Sequence, residues 1–312
     1  MSKLKGLLLT EGLHGMISQV EGLAKALDLD YFHEKVELNS LWNLFPPSLT
    51  PKQKFIFKNQ ISKDYDVIIS CGRKSVIPAI VLKKNATKKV INIHIQNPKI
   101  SIKNFDFLVI PDHDGVDGPN VFLSQGSIHY VTNDEITENA DYLKNKILKN
   151  KDIITLILGG PNKYYDYTNE NMISIFSKIK KHLDDNNLQL IVIPSNRTPA
   201  NSIQFAKEYF NKDRLVVENI DKKAYLSSLA LAKYIVVTCD SSSMISEAAL
   251  TGKPLYVAMI PSRKKDNRFQ KFRNLLESKN VIRYLNNNLD VWNYEKLDET
   301  KRIAKLIKEK IF

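Results

Sequence analysis

A chain of 312 residues, 43% of them apolar and 26% charged, is too long for one comfortable core and too apolar to stay disordered, so two folded domains are expected. No apolar run reaches the roughly 20 residues that a membrane-spanning helix needs. The formal charge of +12 favours anionic partners such as nucleotides or phospholipid surfaces, yet only residues 263–273 interleave basic and aromatic side chains, and Phe269 and Phe272 there read as helix anchors, so no nucleic-acid partner is expected.

The N-terminus, Met1 to Leu9, has an apolar stretch too short for a signal peptide and runs directly into Thr10-Glu11-Gly12. It reads as the first strand of an unexported, cytoplasmic protein, with strand character over 6–9. Ile17, Val20, Leu23, Ala24 and Leu27 then share one helical face. Residues 40–60, with Pro46, Pro47 and Pro51, read as an irregular connection followed by a short helix. Strands are expected over 67–70, 90–95 and 107–110. The charged, Asn- and Lys-rich residues 145–152 mark a domain boundary.

The pattern restarts with a strand over 153–158 and a helix over 172–183, followed by strands over 188–193, 215–217, 234–237 and 255–257. A last helix over 297–312 carries Ile303, Leu306, Ile307 and Ile311 on one face. The expected architecture is α/β: two Rossmann-like parallel-sheet domains, 1–148 and 149–290, facing a central cleft, with residues 291–312 returning to the first domain. Cys71 and Cys239, each at a predicted strand end, read as free thiols.

Candidate chemistry sits where predicted strands end. After the strand over 234–237, the run Thr238-Cys239-Asp240-Ser241-Ser242-Ser243 opens a helix of about ten residues. Free N–H groups at such a helix start suit a phosphate. Glu247, four residues beyond Ser243, shares its face and could accept bonds from sugar hydroxyls. The competing reading is that the serines only cap the helix and Glu247 is solvated.

Gly159 and Gly160 would let backbone N–H groups approach a phosphate, and Arg197 could grip a diphosphate bidentately. The Lys-Ser ending of a P-loop is missing after the glycines, and the first strand lacks G-x-G-x-x-G, so neither a magnesium-dependent NTPase nor a nicotinamide cofactor is indicated. In the first half, His14 stands where a general base could face a cleft, its rival reading being an ordinary loop histidine. Asp112-His113-Asp114 could provide a base, stabilise a turn or bind a divalent ion, but the spacing is wrong for a calcium loop. No metal is expected.

This layout resembles the glycosyltransferase B-type architecture. More closely, the chain resembles the mitochondrial-fission family named for elongated mitochondria, which is largely bacterial and has plant members. The resemblance rests on ordered blocks: Glu11-Gly12-x-x-Gly15-x-x-x-Gln19, Cys71-Gly72-Arg73-Lys74-Ser75-x-x-Pro78, Gln96-Asn97-Pro98-Lys99 and Pro111-Asp112-His113-Asp114. Further blocks are Gly118-Pro119-Asn120-Val121 with Gly126, Leu158-Gly159-Gly160, Arg197-Thr198-Pro199, and Asp240-Ser241-x-Ser243-Met244-x-Ser246-Glu247-Ala248 with Gly252-Lys253-Pro254. The chain departs from the pattern at Glu11, where Asp is usual, at Lys99 and Asn196, where Arg is common, and at Ile220, where Asn-Pro-Tyr is typical.

The resemblance implies a nucleotide-diphosphate sugar as substrate, with no cofactor. It would be held by Gly159, Gly160, Arg197, Asp240, Ser241, Ser242 and Ser243, with Glu247 on the ribose. It also implies a base among His14, Asp112, His113 and Asp114, and acceptor or cleft contacts from Glu11, Gly12, Gly15, Gln19, Arg73 and Asn120. The sugar would pass, without a metal, to a cell-envelope or lipid-linked acceptor. The alternative is a non-catalytic adaptor that keeps the fold and binds a protein partner, as the plant members' scaffold role implies. A third reading places the protein on the inner membrane periphery, with residues 263–273 touching anionic lipid.

Overall fold

The structure, a computed structural model, describes residues 3–61, 63–185, 187–211 and 214–311. Met1, Ser2 and Phe312, at the outer ends of the expected first strand and last helix, lie outside the described residues. Two compact units account for the chain, one of residues 1–130 with 298–312 and one of residues 131–297.

The first unit begins β1 (Lys5–Thr10), α1 (His14–Ala26), β2 (Asp30–Lys35), β3 (Val67–Cys71), α2 (Val76–Lys84), β4 (Ile91–Ile95), β5 (Phe107–Pro111) and β6 (Val121–Ser124). Its strands form a six-stranded sheet in the order β2-β1-β3-β4-β5-β6, with every neighbouring pair parallel. Successive residues of β1 serve opposite faces, as a strand's two-residue period requires. Leu7 and Leu9 join the core under α2 with Ile68, Val76 and Ile80, while Leu8 joins the opposite core with Val20, Leu23 and Ile69. Between β2 and β3 the chain makes 3-10 turns at Ser40–Asn43, Pro47–Leu49 and Lys54–Ile56.

The second unit opens with α3 (Asn133–Glu138) and continues β7 (Asp152–Leu158), α4 (Asn169–Asp185), β8 (Leu188–Pro194), α5 (Ala200–Tyr209), β9 (Arg214–Val216), α6 (Lys222–Leu231), β10 (Tyr234–Thr238), α7 (Ser242–Ala249), β11 (Leu255–Ala258), α8 (Asn267–Ser278) and β12 (Ile282–Tyr284). Its sheet is also six-stranded and parallel, in the order β12-β11-β10-β7-β8-β9. The central strands β7, β8, β10 and β11 are buried almost throughout, as the helix-covered interior of a parallel sheet demands.

The final helix α9 (Glu299–Ile311) belongs to the first unit, where Ile303, Ala304 and Ile307 enter the core beside α1. Thr300 Oγ1 donates to the His129 carbonyl at 2.9 Å, and Glu299 accepts from the Gln125 N–H at 2.7 Å.

The division between units falls at Tyr130, ahead of the boundary expected at 148. Sequence polarity marked the wrong place because residues 133–146, though charged, already pack on the second unit. Lys222 on α6 pairs with Glu135 at 2.8 Å, Tyr142 donates to Asp221 at 2.8 Å, and the Leu143 N–H donates to Ser227 at 3.0 Å.

In both sheets the strand order reverses direction once, between β1 and β3 in the first unit and between β7 and β10 in the second. Loops leaving the carboxyl ends of two such strands diverge to opposite faces and leave a crevice where parallel α/β sheets bind ligands. The candidate residues of the second unit lie at its crevice. Those of the first unit do so only in part.

Candidate functional site

At the β7/β10 crevice the organising group is Asp240, just past β10. Its side chain is fully buried and its carboxylate collects three donors: the Gly160 N–H at 3.0 Å, Arg197 Nη2 at 2.8 Å and Tyr167 Oη at 2.6 Å. A buried carboxylate without such partners would be strongly unfavourable. Arg197 also donates through Nη1 to the Gly160 carbonyl at 2.7 Å. Loops after β7, β8 and β10 are thereby joined through one charge pair. Burial and the Asp240 charge raise the Tyr167 phenol well above its usual range.

The two glycines serve this packing. A Cβ on Gly159 would stand 2.2 Å from Asp240 Oδ2, and one on Gly160 would stand 2.1 Å from the Arg197 carbonyl oxygen. Their N–H groups differ from the open cradle expected from sequence, since Gly159 donates to Thr238 Oγ1 at 2.8 Å and Gly160 to Asp240. Arg197 keeps a 42% exposed side chain, so part of its guanidinium faces outward beside the crevice.

The serine run begins α7 as expected. Ser241 is the N-cap, its Oγ accepting from the Met244 N–H at 3.4 Å. Among the described residues no acceptor takes the N–H groups of Ser242 and Ser243, which are the orphan donors of a first helical turn. Ser242 and Ser243 are themselves half-buried. Glu247 is not solvated: it is 8% exposed, and Tyr225 Oη from α6 donates to its Oε2 at 2.7 Å. Burial pushes its carboxyl up to about 7, with the Tyr225 bond and the Lys222 charge acting the other way. Beyond α7, Lys253 closes the α6 C-terminus, donating to the Leu229 carbonyl at 2.9 Å and to that of Ala230.

The sequence singles out neither Tyr167 nor Tyr225. A tyrosine in a loop or on a mostly buried helix gives no periodic or motif signal, and only the fold brings these two to the crevice, whereas Thr238 opens the serine run itself.

Residues 263–273 are engaged within their own unit. Arg263 donates to the Asn162 carbonyl at 2.7 Å and pairs with Asp166 at 3.0 Å. Arg273 is buried, bonded to Tyr165 Oη at 3.0 Å and Asp266 at 2.9 Å, while Tyr165 itself donates to Asp266. Phe272 is buried and Phe269 meets Tyr164 and Tyr165 edge-on, the anchoring expected of them.

In the first unit, the β1/β3 crevice holds Glu11, Gly12 and His14 after β1 and Arg73 after β3. Exposed His14 opens α1 with Nε2 3.3 Å from Tyr130 Oη. Glu11 accepts from the Lys74 N–H at 3.1 Å and lies 3.8 Å from its ammonium, holding the turn that leads into α2. Gly12 adopts φ 84°, and its N–H donates to Thr10 Oγ1 at 3.0 Å. The Gly15 carbonyl accepts from Gln19 Nε2 at 3.1 Å, and Gln19 Oε1 is 3.6 Å from the Cys71 thiol. Arg73 is directed at backbone, donating to the Phe45 and Asn43 carbonyls at 2.7 Å each. Asn120 likewise joins two loops through the Ile102 and Phe105 carbonyls at 3.0 and 2.9 Å.

Asp112, His113 and Asp114 form one 3-10 turn after β5. His113 Nε2 is 3.8 Å from Asp114 Oδ1, both side chains mostly buried, whereas Asp112 is exposed. The fold does not bring this turn to His14. Three strand spacings separate β5 from β1, roughly 14 Å across the sheet. Both cysteines are buried and free, burial raising the Cys71 thiol far above its usual value and Cys239 to about 11. Among the described residues no group of three or more His, Cys, Asp or Glu is arranged to hold a metal ion.

Comparison with known proteins adds the relatives. The family described as Mitochondrial fission ELM1 matches residues 14–311. An uncharacterised protein of Rickettsia prowazekii (strain Madrid E) is 27% identical over 94% of this chain and 95% of its own length. The mitochondrial fission protein ELM1 of Arabidopsis thaliana is 24% identical over 78% of this chain and 64% of its own. Among solved structures, the UDP-GlcNAc 2-epimerase of Neisseria meningitidis, bound to UDP-GlcNAc, superposes with a TM-score of 0.56 at 12% identity, covering 99% of each chain. The glycotransferase of kitacinnamycin gives 0.54 at 12% identity, covering 100% of each. At such identities the likeness establishes a glycosyltransferase-like fold.

Proposed function

The chain belongs to the mitochondrial fission ELM1 family, and we propose that its C-terminal unit binds a nucleotide-diphosphate sugar at the β7/β10 crevice. The observation that carries the reading is the open first turn of α7. Two N–H groups, at Ser242 and Ser243, have no acceptor among the described residues and stand at the carboxyl edge of the sheet, with the outward part of Arg197 on the neighbouring loop. Helix-start donors and a guanidinium are the groups a diphosphate needs. Glu247, one turn further along the same helix face, accepts the sugar-ring hydroxyls of the nucleoside. Donors of that kind favour its ionised form, so binding releases its proton near neutral pH.

The reading extends to transfer of the sugar to a cell-envelope or lipid-linked hydroxyl. Arg197 and the α7 N-terminus would stabilise the departing diphosphate without a metal, with His14 the exposed candidate base. Thermal unfolding with UDP, GDP, ADP, CMP and their sugar conjugates tests the binding step. A ligand specific for the native state raises the midpoint in proportion to its affinity. One nucleotide class is expected to raise it in wild type and not in Glu247→Ala. Absence of a shift with every nucleotide would remove the proposal.

A second reading, a non-catalytic adaptor, is favoured by one observation: the Gly159 and Gly160 N–H groups already have acceptors within the unit. It predicts that His14→Ala and Asp114→Ala leave cellular function intact and that both variants still capture the same protein partner.

A further inference from the structure

Within the first unit, exposed large apolar side chains are most concentrated in one short stretch, the connection between β2 and β3. Leu41, Leu44, Leu49 and Phe55 are 59%, 82%, 66% and 58% exposed, and Phe45 is also exposed. They do not belong to a loose loop. Leu38, Ile56 and Phe57 bury themselves in the core beneath, and an antiparallel bridge joins Leu38 to Phe57. Arg73 grips the Asn43 and Phe45 carbonyls from the side. Trp42 is half-buried, its ring 5.8 Å from Phe45 and 6.1 Å from Phe55, so the aromatics form one surface cluster. Leu41 and Leu44 are three apart along a 3-10 turn, a spacing that stacks side chains on one edge. A soluble surface rarely concentrates exposed leucine and phenylalanine in this way without a partner.

Charge selects the partner. From Leu38 to Ile61 the chain has no acidic residue and three lysines, Lys52, Lys54 and Lys58, all exposed. Lys52 donates to Asn104 at 2.7 Å, which brings the turn bearing exposed Lys103 to its side. Protruding leucines beside a tryptophan-phenylalanine cluster, fringed mainly by lysines with the exposed carboxylate of Glu37 at the margin beside Asn59, match the interface of an anionic bilayer. Leucines enter the acyl boundary there, aromatic rings sit at headgroup depth and lysines meet lipid phosphate.

We infer that residues 41–55 are a membrane-contact surface through which this protein docks on anionic phospholipid. The surface differs from residues 263–273, where Arg263, Arg273, Phe269 and Phe272 are engaged within the second unit. The inference stands apart from nucleotide binding, since none of its residues lies in the second unit.

Co-sedimentation of the full chain with vesicles of phosphatidylcholine, with and without phosphatidylglycerol, tests it. Wild type should sediment with the mixed vesicles and lose that binding as salt rises. Leu44→Ser with Leu49→Ser, both at exposed positions, should weaken partitioning roughly tenfold or more. Lys52→Gln, Lys54→Gln and Lys58→Gln together should weaken it by a similar factor, while Lys264→Gln with Lys265→Gln should leave it unchanged. The melting midpoint and nucleotide response of each variant report that the fold is kept. Three results would overturn the inference: wild type that ignores anionic vesicles, leucine variants that bind as wild type does, or leucine variants that lose only a self-association of the free protein.

Discussion

Burial on the inner face of α7 holds the Glu247 proton to about pH 7, against an ordinary value of 4.5. The unfolded chain therefore releases this proton first. The group's contribution to stability is full below the unfolded value, declines as pH rises between the two, and is constant above the folded one. The difference is worth about 3 kcal/mol. His94, buried on β4 against Ser70 and lowered to about 3, runs the other way. Its contribution is full above its unfolded value of 6.5 and is lost as pH falls through the interval below it. The two slopes overlap, so the wild-type profile alone does not isolate Glu247. The difference between Glu247→Gln and wild type does: by urea denaturation the variant should gain about 3 kcal/mol on wild type between about pH 4 and about pH 8. A difference that is flat across that range would contradict the buried carboxyl. Tyr225→Phe removes the one side-chain bond that holds the Glu247 value down. It should move the titration further up, observable by NMR of the carboxyl carbon.

Among the elements, the crevice of the second unit depends on strand-end loops that meet at Asp240. Asp240→Ala leaves Arg197, the Gly160 N–H and Tyr167 without their common acceptor. Removing one partner of a buried charge pair typically costs about 3–5 kcal/mol. Urea denaturation should show a loss of that order, and a loss under about 1 kcal/mol would mean the hub is not structural. Gly160→Ala should also destabilise, because its Cβ would meet backbone 2.1 Å away rather than a side chain that can turn aside.

The same elements show what the sequence could and could not reveal. Strands β3, β7, β8 and β10, buried on both faces, announce themselves as near-continuous apolar runs, interrupted only by single residues such as Ser70, Thr155 and Gln189. The strands that were not foreseen, β2, β6 and β12, all lie at sheet edges. Half-exposed edges tolerate sequences such as the Asp-Tyr-Phe-His-Glu-Lys of β2, which carries no strand signature. The serine start of α7 was legible because capping is a local matter. The engagement of Gly159, Gly160 and Arg197 with Asp240 was not, because those contacts join residues about forty to eighty positions apart.

At the scale of the whole molecule, two parallel-sheet units of one chain each carry their own reversal of strand order, and α9 completes the first from the far end of the sequence. Ile307 is fully buried against that unit although it lies beyond the second in sequence. Ile307→Ala should cost about 2–5 kcal/mol. Hydrogen exchange should place the loss in residues 3–130 and not in 131–297. Accelerated exchange in the second unit alone would contradict this division of the chain. The boundary was the least legible large-scale feature, because polarity marks a linker only when the polar segment leaves the surface of both units, and residues 133–146 do not.

The central claim is that the second unit holds a nucleotide-diphosphate sugar at the start of α7, and titration calorimetry of the intact protein with UDP, GDP, ADP and CMP sugars tests it most directly. The account predicts saturable binding of one nucleotide class, proton release near pH 7 as Glu247 ionises, and weaker binding in Glu247→Ala. No heat of binding from any of these ligands, or equal binding by wild type and Glu247→Ala, would contradict it.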